Sequence, residues 1–265
     1  MIAAAEAVPR LSWSQIDRYT RCPAQWWFSR HCKPEHTPSA LKFGGAIHRS
    51  VETFYACRAE GYNPALDELM ATYTTAWEAP SEAAVSFGKN ETDTTLREMA
   101  GRMLGAFIEA VRPGEVLGIE ESFAVEIVDG IIVSGVIDLV EVKDGRFWVV
   151  DNKTSRSDPS SAFDAEQLLL YRLGLAEVGL VPDGADVGMR FDCLRKLKTK
   201  SEFTSVEVTA CEHDFLAVRQ KIAAVARAIK AGVLYRNKSW ACAGCPWTKA
   251  CAETDLEEAQ RRVAA

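Results

Sequence analysis

The sequence predicts an α/β fold in which a helical N-terminal part precedes a sheet-bearing core, and three observations predict it. Apolar residues recur at helical spacing as far as Val111; from Val116 the period changes to two; and the strand-like runs then alternate with further helical stretches and with Asp-Gly turn signals. With 265 residues, 48% of them apolar, the chain can fill a substantial core.

The elements follow in order. Within Leu11-Ser12-Trp13-Ser14-Gln15 a serine caps an aromatic amphipathic helical stretch that ends near Arg30. Residues 41–60 repeat the helical pattern around Phe43, Ile47, Val51 and Phe54. Two more helices are expected over about 64–77 and 92–111, with a loop over 78–90 between them. A strand over about 119–128 turns at Asp129-Gly130 into a hairpin, and a helix over about 162–178 follows. A strand pair near 187–194 and 203–208 leads to a long helix over about 211–231. A cysteine triplet and a short charged tail complete the sequence. There is no internal repeat, low-complexity run or clear linker, so one domain is the simplest division: 1–115 mainly helical, 116–232 the core, and 233–265 the cysteine-cluster tail.

The segment GVIDLVEVKDGRFWVVDNK, residues 135–153, carries the most chemistry. Both central positions of a tight hairpin turn need positive φ, which Asp144-Gly145 supplies. Lys143 then pairs with Arg146, and counting outward sets Asp138 against Asp151. Alternate strand residues share a face, so Lys153 lies on the side of both acids with Val140, Val142, Phe147 and Val149. Like charges opposed across a sheet are destabilising, and a divalent cation held by hard oxygen ligands would compensate. Solvated strand-end acids paired with an ordinary lysine are the bland reading of the same pattern. The polar loop 154–161 follows directly, a common place for substrate contacts.

The net charge of −6 argues against non-specific coating of nucleic acid. A local basic groove has candidates in Arg190, Arg195, Lys196, Lys198 and Lys200 within RFDCLRKLKTK, which would otherwise be a solvated turn. No apolar run is long enough to span a bilayer and no signal-peptide pattern opens the chain, so a cytoplasmic location is expected.

Eight cysteines in such a chain point to metal before disulfides. Cys242, Cys245 and Cys251 form C-x2-C-x5-C in ACAGCPWTKAC. Three thiolates do not complete a tetrahedral zinc site or a four-iron cluster, so a fourth ligand is needed, with Cys22 and Cys32 as candidates. Cys57, Cys193 and Cys211 read as buried apolar thiols. Spacing alone leaves zinc and iron–sulfur open.

Asp138 followed by Asp151-Asn152-Lys153 resembles the D…(D/E)-x-K pattern of the PD-(D/E)XK nuclease superfamily. FGGAIHRSVETF around His48 is similar to the helical histidine motif of its RecB-like branch, and Gln167 with Tyr171 in EQLLLYRL to that branch's Q-x3-Y helix. Gln167 and Tyr171, four apart, also share a helical face from which an amide and a phenol can orient substrate or site groups. The second acid is Asp151 where many relatives carry Glu. LSWSQIDRYTRCPAQWWF resembles the N-terminal segment of iron–sulfur RecB-like nucleases, including the AddB nuclease domain and the CRISPR adaptation nuclease. That resemblance implies Cys22, Cys242, Cys245 and Cys251 as ligands of a 4Fe-4S cluster that staples the chain ends together. The loop it would close is long, and the entropic gain grows slowly with length.

The resemblance thus implies a restriction-endonuclease-like mixed β-sheet core flanked by helices. It also implies a DNA exonuclease or DNA-end-processing nuclease in which His48, Asp138, Asp151 and the Asn152 carbonyl hold Mg²⁺ or Mn²⁺. Lys153 would assist the attacking water, while Gln167 and Tyr171 would organise the site or contact DNA. The implied partners are DNA, single-stranded or with free ends, and proteins of recombination, repair or CRISPR adaptation; no membrane is implied. No nucleotide-binding loop of G-x4-G-K-[S/T] type occurs, so no helicase motor is expected. The alternative is a non-catalytic DNA-binding or scaffolding protein with a nuclease fold and a structural zinc or iron–sulfur site.

Overall fold

A computed structural model describes residues 10–155, 165–197 and 200–264, with only the backbone of 259 and 262–264. The chain opens with a two-residue strand, β1 (Leu11–Ser12), and helices α1 (Trp13–Arg21) and α2 (Pro23–His31). Ser12 caps α1: its hydroxyl accepts from the Gln15 N–H, while the Gln15 amide oxygen accepts from the Ser12 N–H. The amphipathic stretch expected to run to Arg30 is broken at Cys22. Pro23 lacks an N–H and drives the residue before it out of the helical region, and Cys22 is accordingly extended at φ −162°.

Short strands β2 (Thr37–Pro38) and β3 (Val85–Ser86) pair with each other and bracket α3 (Ser39–Ala59) and α4 (Leu66–Glu78); α5 (Asp93–Ala110) follows. The remaining strands are β4 (Glu115–Val128), β5 (Ile131–Lys143), β6 (Arg146–Ser155), β7 (Val187–Arg195) and β8 (Glu202–Val208). Helix α6 (Glu166–Val178) connects β6 to β7, and α7 (Glu212–Lys230) follows β8. The expected start of α6 near 162 lies outside the described residues.

The principal sheet is mixed. β4, β5 and β6 are successive antiparallel neighbours, β7 runs parallel to β6, β8 is antiparallel to β7, and β1 lies parallel to β5 at Val133 and Ser134. The β5–β6 turn has the chemistry expected of it, with Asp144 at φ 54° and Gly145 at φ 78°. Helices cover both faces. On one, residues of α1, α6 and α7 such as Ile16, Leu168, Leu169 and Ile222 meet Val133, Val140, Val149 and Phe191. On the other, Phe43, Ile47, Tyr55, Tyr73, Leu104 and Phe107 of α3, α4 and α5 meet Leu139, Val150 and Leu194.

A separate small core joins the two ends of the chain. Ala24 and Phe28 of α2 bury against Trp247 and Leu256, with Cys22, Cys245 and Cys251 at its margin. The tail contributes a 3₁₀ turn (Trp240–Gly244) and helices α8 (Thr248–Glu253) and α9 (Leu256–Ala264), where only a charged tail was expected. No helix among the described residues is long and apolar enough to cross a membrane.

Candidate active site and cysteine cleft

The β5–β6 register continues from Lys143↔Arg146 to Leu139↔Val150, which leaves Asp138 opposite Asp151 just beyond the last regular pair. There the Asp138 Oδ2 accepts the Asn152 backbone N–H at 2.8 Å. A third acid stands on the other side of Asp138. Glu120 of β4 falls between the pairs Ile119↔Leu139 and Glu121↔Ile137 and so faces Asp138, with its own φ at 53°. Three carboxylates therefore lie in a row across β4, β5 and β6. Counting back from the Asp129-Gly130 turn would place Glu120 against Leu139; a register shift between Glu126 and Val128 moves it by one. A bulge inserts one residue and so changes which residue opposes which, and no local sequence signal announced this one.

Helix α3 brings His48 to the same place, its Nδ1 3.6 Å from Asp138 Oδ2. Gly44 lies one turn earlier on that helix, and a Cβ there would stand 3.3 Å from the Thr154 hydroxyl, so the glycine lets α3 approach the end of β6. On the opposite face, a Cβ at Gly174 of α6 would lie 2.3 Å from the Phe123 ring, so α6 is seated against the sheet. Its Gln167 and Tyr171 complete a continuous chain of hydrogen bonds. Lys153 Nζ donates to Gln167 Oε1 at 2.8 Å, Gln167 Nε2 donates to the Tyr171 hydroxyl at 2.7 Å, and that hydroxyl donates to Asp138 Oδ1 at 3.2 Å. The Q-x3-Y spacing thus links the lysine to the central acid.

Electrostatics follow from burial. Asp151 is almost wholly buried, and its pKa is pushed up to about 6, by desolvation first, with Lys153 opposing and Asp138 adding to the rise. Glu120 is raised by desolvation and then by Asp138. Tyr171 is held protonated by burial and by both aspartates, which suits its role as a donor.

The residues fit a divalent cation. The ligand atoms of His48, Glu120 and Asp138 lie within 4.8 Å of one another, the group of this kind found among the described residues. Asp151 Oδ2 is buried and receives no well-directed hydrogen bond, although Lys153 Nζ stands 2.5 Å away in ion-pair contact. An acceptor so poorly satisfied in the interior is suited to a positive partner.

Within the basic segment, Arg190 is not a surface charge. Arg190 is buried, bonded to Glu141 at 2.7 Å and to Asp192 at 2.8 and 3.0 Å, and set over the Trp148 ring; it is withdrawn as a DNA contact. Arg190 and Asp192 are two apart on β7 and share its inward face, an alternation that a charge run conceals. Arg195 stands 3.6 Å from Glu202, and Lys196 is turned onto the Phe43 ring and Glu91. Lys200 is exposed, Lys198 lies outside the described residues, and so does the loop 156–161.

Cys22, Cys242, Cys245 and Cys251 line one open cleft of about 1310 Å³ between the chain ends; Cys32 does not line it. Donors point at the sulfurs: the Asn237 N–H to Cys22 Sγ at 3.4 Å, the Ser239 N–H to Cys242 Sγ at 3.4 Å, and Gln25 Nε2 to Cys245 Sγ at 3.8 Å. Burial, and then the neighbouring Cys251, Cys22 and Cys242, raise the Cys245 thiol against a Trp247 backbone hydrogen bond that lowers it. Four thiols in one cleft, three of them with N–H donors directed at the sulfur, are a donor set for a thiophilic metal centre. Cys193 is buried as expected, whereas Cys57 is half-buried and Cys211 is exposed at the start of α7.

A profile of the PD-(D/E)XK nuclease superfamily matches residues 10–252. No curated protein sequence matches the chain. Among solved structures, a candidate exonuclease from Eubacterium rectale aligns at 11% identity over 90% of this chain and 87% of that chain, with a TM-score of 0.49. The protein SSO0001 aligns at 13% identity over 91% and 96%, with a TM-score of 0.36.

Proposed function

This chain belongs to the PD-(D/E)XK nuclease superfamily, and from that premise we propose that it is a metal-dependent DNA exonuclease or DNA-end-processing nuclease of the RecB-like iron–sulfur branch, acting as one domain in the cytoplasm. The observation that carries the reading is the row of Glu120, Asp138 and Asp151 with Lys153 tethered beside it. Three acids aligned across adjacent strands destabilise a sheet, and cation binding offsets that cost.

Asp138, Asp151, His48 and the Asn152 carbonyl would hold Mg²⁺ or Mn²⁺, with Glu120 facing Asp138 as a further oxygen donor. A bound cation polarises the scissile phosphate and lowers the pKa of an attacking water. Lys153 presents its ammonium where negative charge develops on the phosphate, and Gln167 fixes that ammonium by accepting from it. Tyr171 holds the Asp138 carboxylate in orientation through its hydroxyl. Gln167 and Tyr171 therefore act here as positioning residues.

Cys22, Cys242, Cys245 and Cys251 would bind a 4Fe-4S cluster that pins α2 to the tail. Four thiols suit zinc as well as iron and sulfur; the likeness of residues 11–28 and of the C-terminal triplet to iron–sulfur RecB-like nucleases is what supports the cluster. The partners of such an enzyme are DNA with free ends and proteins of recombination, repair or CRISPR adaptation.

The test is degradation of end-labelled single- and double-stranded DNA by anaerobically purified protein with Mg²⁺, Mn²⁺ or EDTA, beside iron and acid-labile sulfide analysis. Metal-dependent products and iron with sulfide are expected. Absence of products under every condition would overturn the nuclease reading, and stoichiometric zinc would overturn the cluster.

A further inference from the structure

We infer that the rim of the cysteine cleft carries a stacking platform for an unpaired nucleobase, with Trp240 as its ring and Lys238 as its phosphate contact; the inference rests on the nuclease reading for its choice of ligand. The chain has seven tryptophans. Six have an aromatic or cationic neighbour: Trp13 lies under Lys221, Trp26 meets Tyr19, Trp27 meets Phe28, Trp77 stacks on Tyr73, Trp148 lies under Arg146, and Trp247 lies near Arg18. Trp240 is the exception among the described residues, and it is 86% exposed. Its neighbours in the 3₁₀ turn are Ala241, Cys242, Ala243 and Gly244, all small residues.

The backbone beneath is fixed. The Tyr235 carbonyl accepts from the Ala24 N–H at 3.1 Å, Asn237 donates through its amide to the Arg21 carbonyl at 2.9 Å, and the Ser239 hydroxyl caps the turn through the Ala241 N–H. Arg236 is held to the carbonyls of Cys251 and Thr254. A rigid support thus projects an unused aromatic face, with the half-exposed Tyr235 nearby in sequence. Ordering such a ring on binding costs little, because its backbone is already set.

Charge selects the occupant. From 235 to 249 the chain carries Arg236, Lys238 and Lys249 and no acidic residue, in a protein of net charge −6; the acids that line the cleft, Glu253, Asp255 and Glu257, come from the chain beyond 252. Lys238 and Lys249 are exposed. An open aromatic face with the exposed Lys238 two residues away suits a polymer of planar bases on a phosphate backbone, and every base has a face to stack. A duplex keeps its bases stacked internally and cannot use the ring in this way, so the platform is selective for single strands.

The test uses Lys153→Ala protein, whose slowed cleavage should spare DNA over a binding measurement, compared with Lys153→Ala/Trp240→Ala and Lys153→Ala/Trp240→Phe. Each is prepared with its metal centre loaded and checked by circular dichroism and metal content. Fluorescence anisotropy of a labelled oligothymidylate should show affinity falling about tenfold with Trp240→Ala, within the range for loss of one base–aromatic stack, with substantial recovery in Trp240→Phe. Affinity for a blunt hairpin duplex should change less than twofold. Indole emission of the Lys153→Ala protein should be quenched by the oligonucleotide, and that quenching should be lost with Trp240→Ala. Unchanged single-strand affinity, equal weakening for duplex, or a Trp240-dependent dimer in sedimentation would each overturn the platform. If wild-type protein cuts DNA while the platform fails, the nuclease reading stands; if no form binds or cuts DNA, both fall.

Discussion

The acid row and the cysteine cleft are built in opposite ways. At the acid row the side chains hold one another, through the chain from Lys153 by Gln167 and Tyr171 to Asp138. In the cleft three of the four sulfurs are instead addressed by backbone and amide N–H donors of the surrounding chain. The first site is organised by its own side chains; the second gathers thiols from both chain ends into one cleft. The difference teaches that, on the proposed reading, catalysis and stability are separable, one residing in side-chain connectivity within the sheet and the other in a tie between chain ends.

That separation can be broken experimentally. The largest effect is expected from Lys153→Ala, which should lower cleavage about 10²–10³-fold or more, on the scale of losing one preorganised electrostatic donor. Iron content and thermal midpoint should stay at wild-type values, and loss of either would show that the two regions are coupled. Next in size, Cys22→Ala should release the metal centre and lower the midpoint by on the order of 10 °C. Metal binding contributes to folding free energy, and each kcal/mol moves a chain of this size by about 2–4 °C. Cys32→Ala should leave metal content intact; absorbance spectra and melting curves of the pair read both outcomes.

A smaller, graded effect concerns pH. Because the Asp151 pKa is raised to about 6, its proton competes with the cation, so Mn²⁺ affinity measured by calorimetry should fall up to about tenfold per unit below pH 6. In cation-free protein the sign for stability is opposite to that of an ordinary ion-paired carboxylate. The folded state holds this proton more tightly than the unfolded chain, so stability falls as pH rises from about 4 to 6, and added Mn²⁺ should reverse the loss. The smallest change is expected for Gln167→Leu, which leaves every cation ligand in place. It should reduce turnover about 10-fold, the scale of losing a group that only orients the reacting side chains, here Lys153 and Tyr171, with Mn²⁺ affinity moved less than turnover.

Much of the fold was legible because its signals are local. The Asp144-Gly145 turn fixes the β5–β6 register by the φ values it permits. Helices α3, α4, α5 and α7 fall within about two residues of their apolar patterns, and the Cys22-Pro23 dipeptide contains the break that the longer amphipathic pattern hid. Glu120 was not legible. Its position depends on a bulge six to eight residues away, and nothing in EESFAVEIVDG distinguishes a bulged strand from a regular one. The basic segment misled for a related reason: Arg190 has partners at Glu141 and Asp192, one of them 49 residues distant in sequence.

The sequence by itself determined the turn, the alternation and the helical faces, and with them which elements carry Asp138, Asp151, Lys153, His48, Gln167 and Tyr171. Those properties follow from backbone conformation and side-chain period, which neighbouring residues set. Only the tertiary structure decided which charges are spent on one another and which remain available. It paired Arg190 with buried acids, brought Glu120 against Asp138, and left Trp240 uncovered. Burial and pairing depend on distant segments arriving together, and the energy of a charge or a ring depends on what arrives beside it.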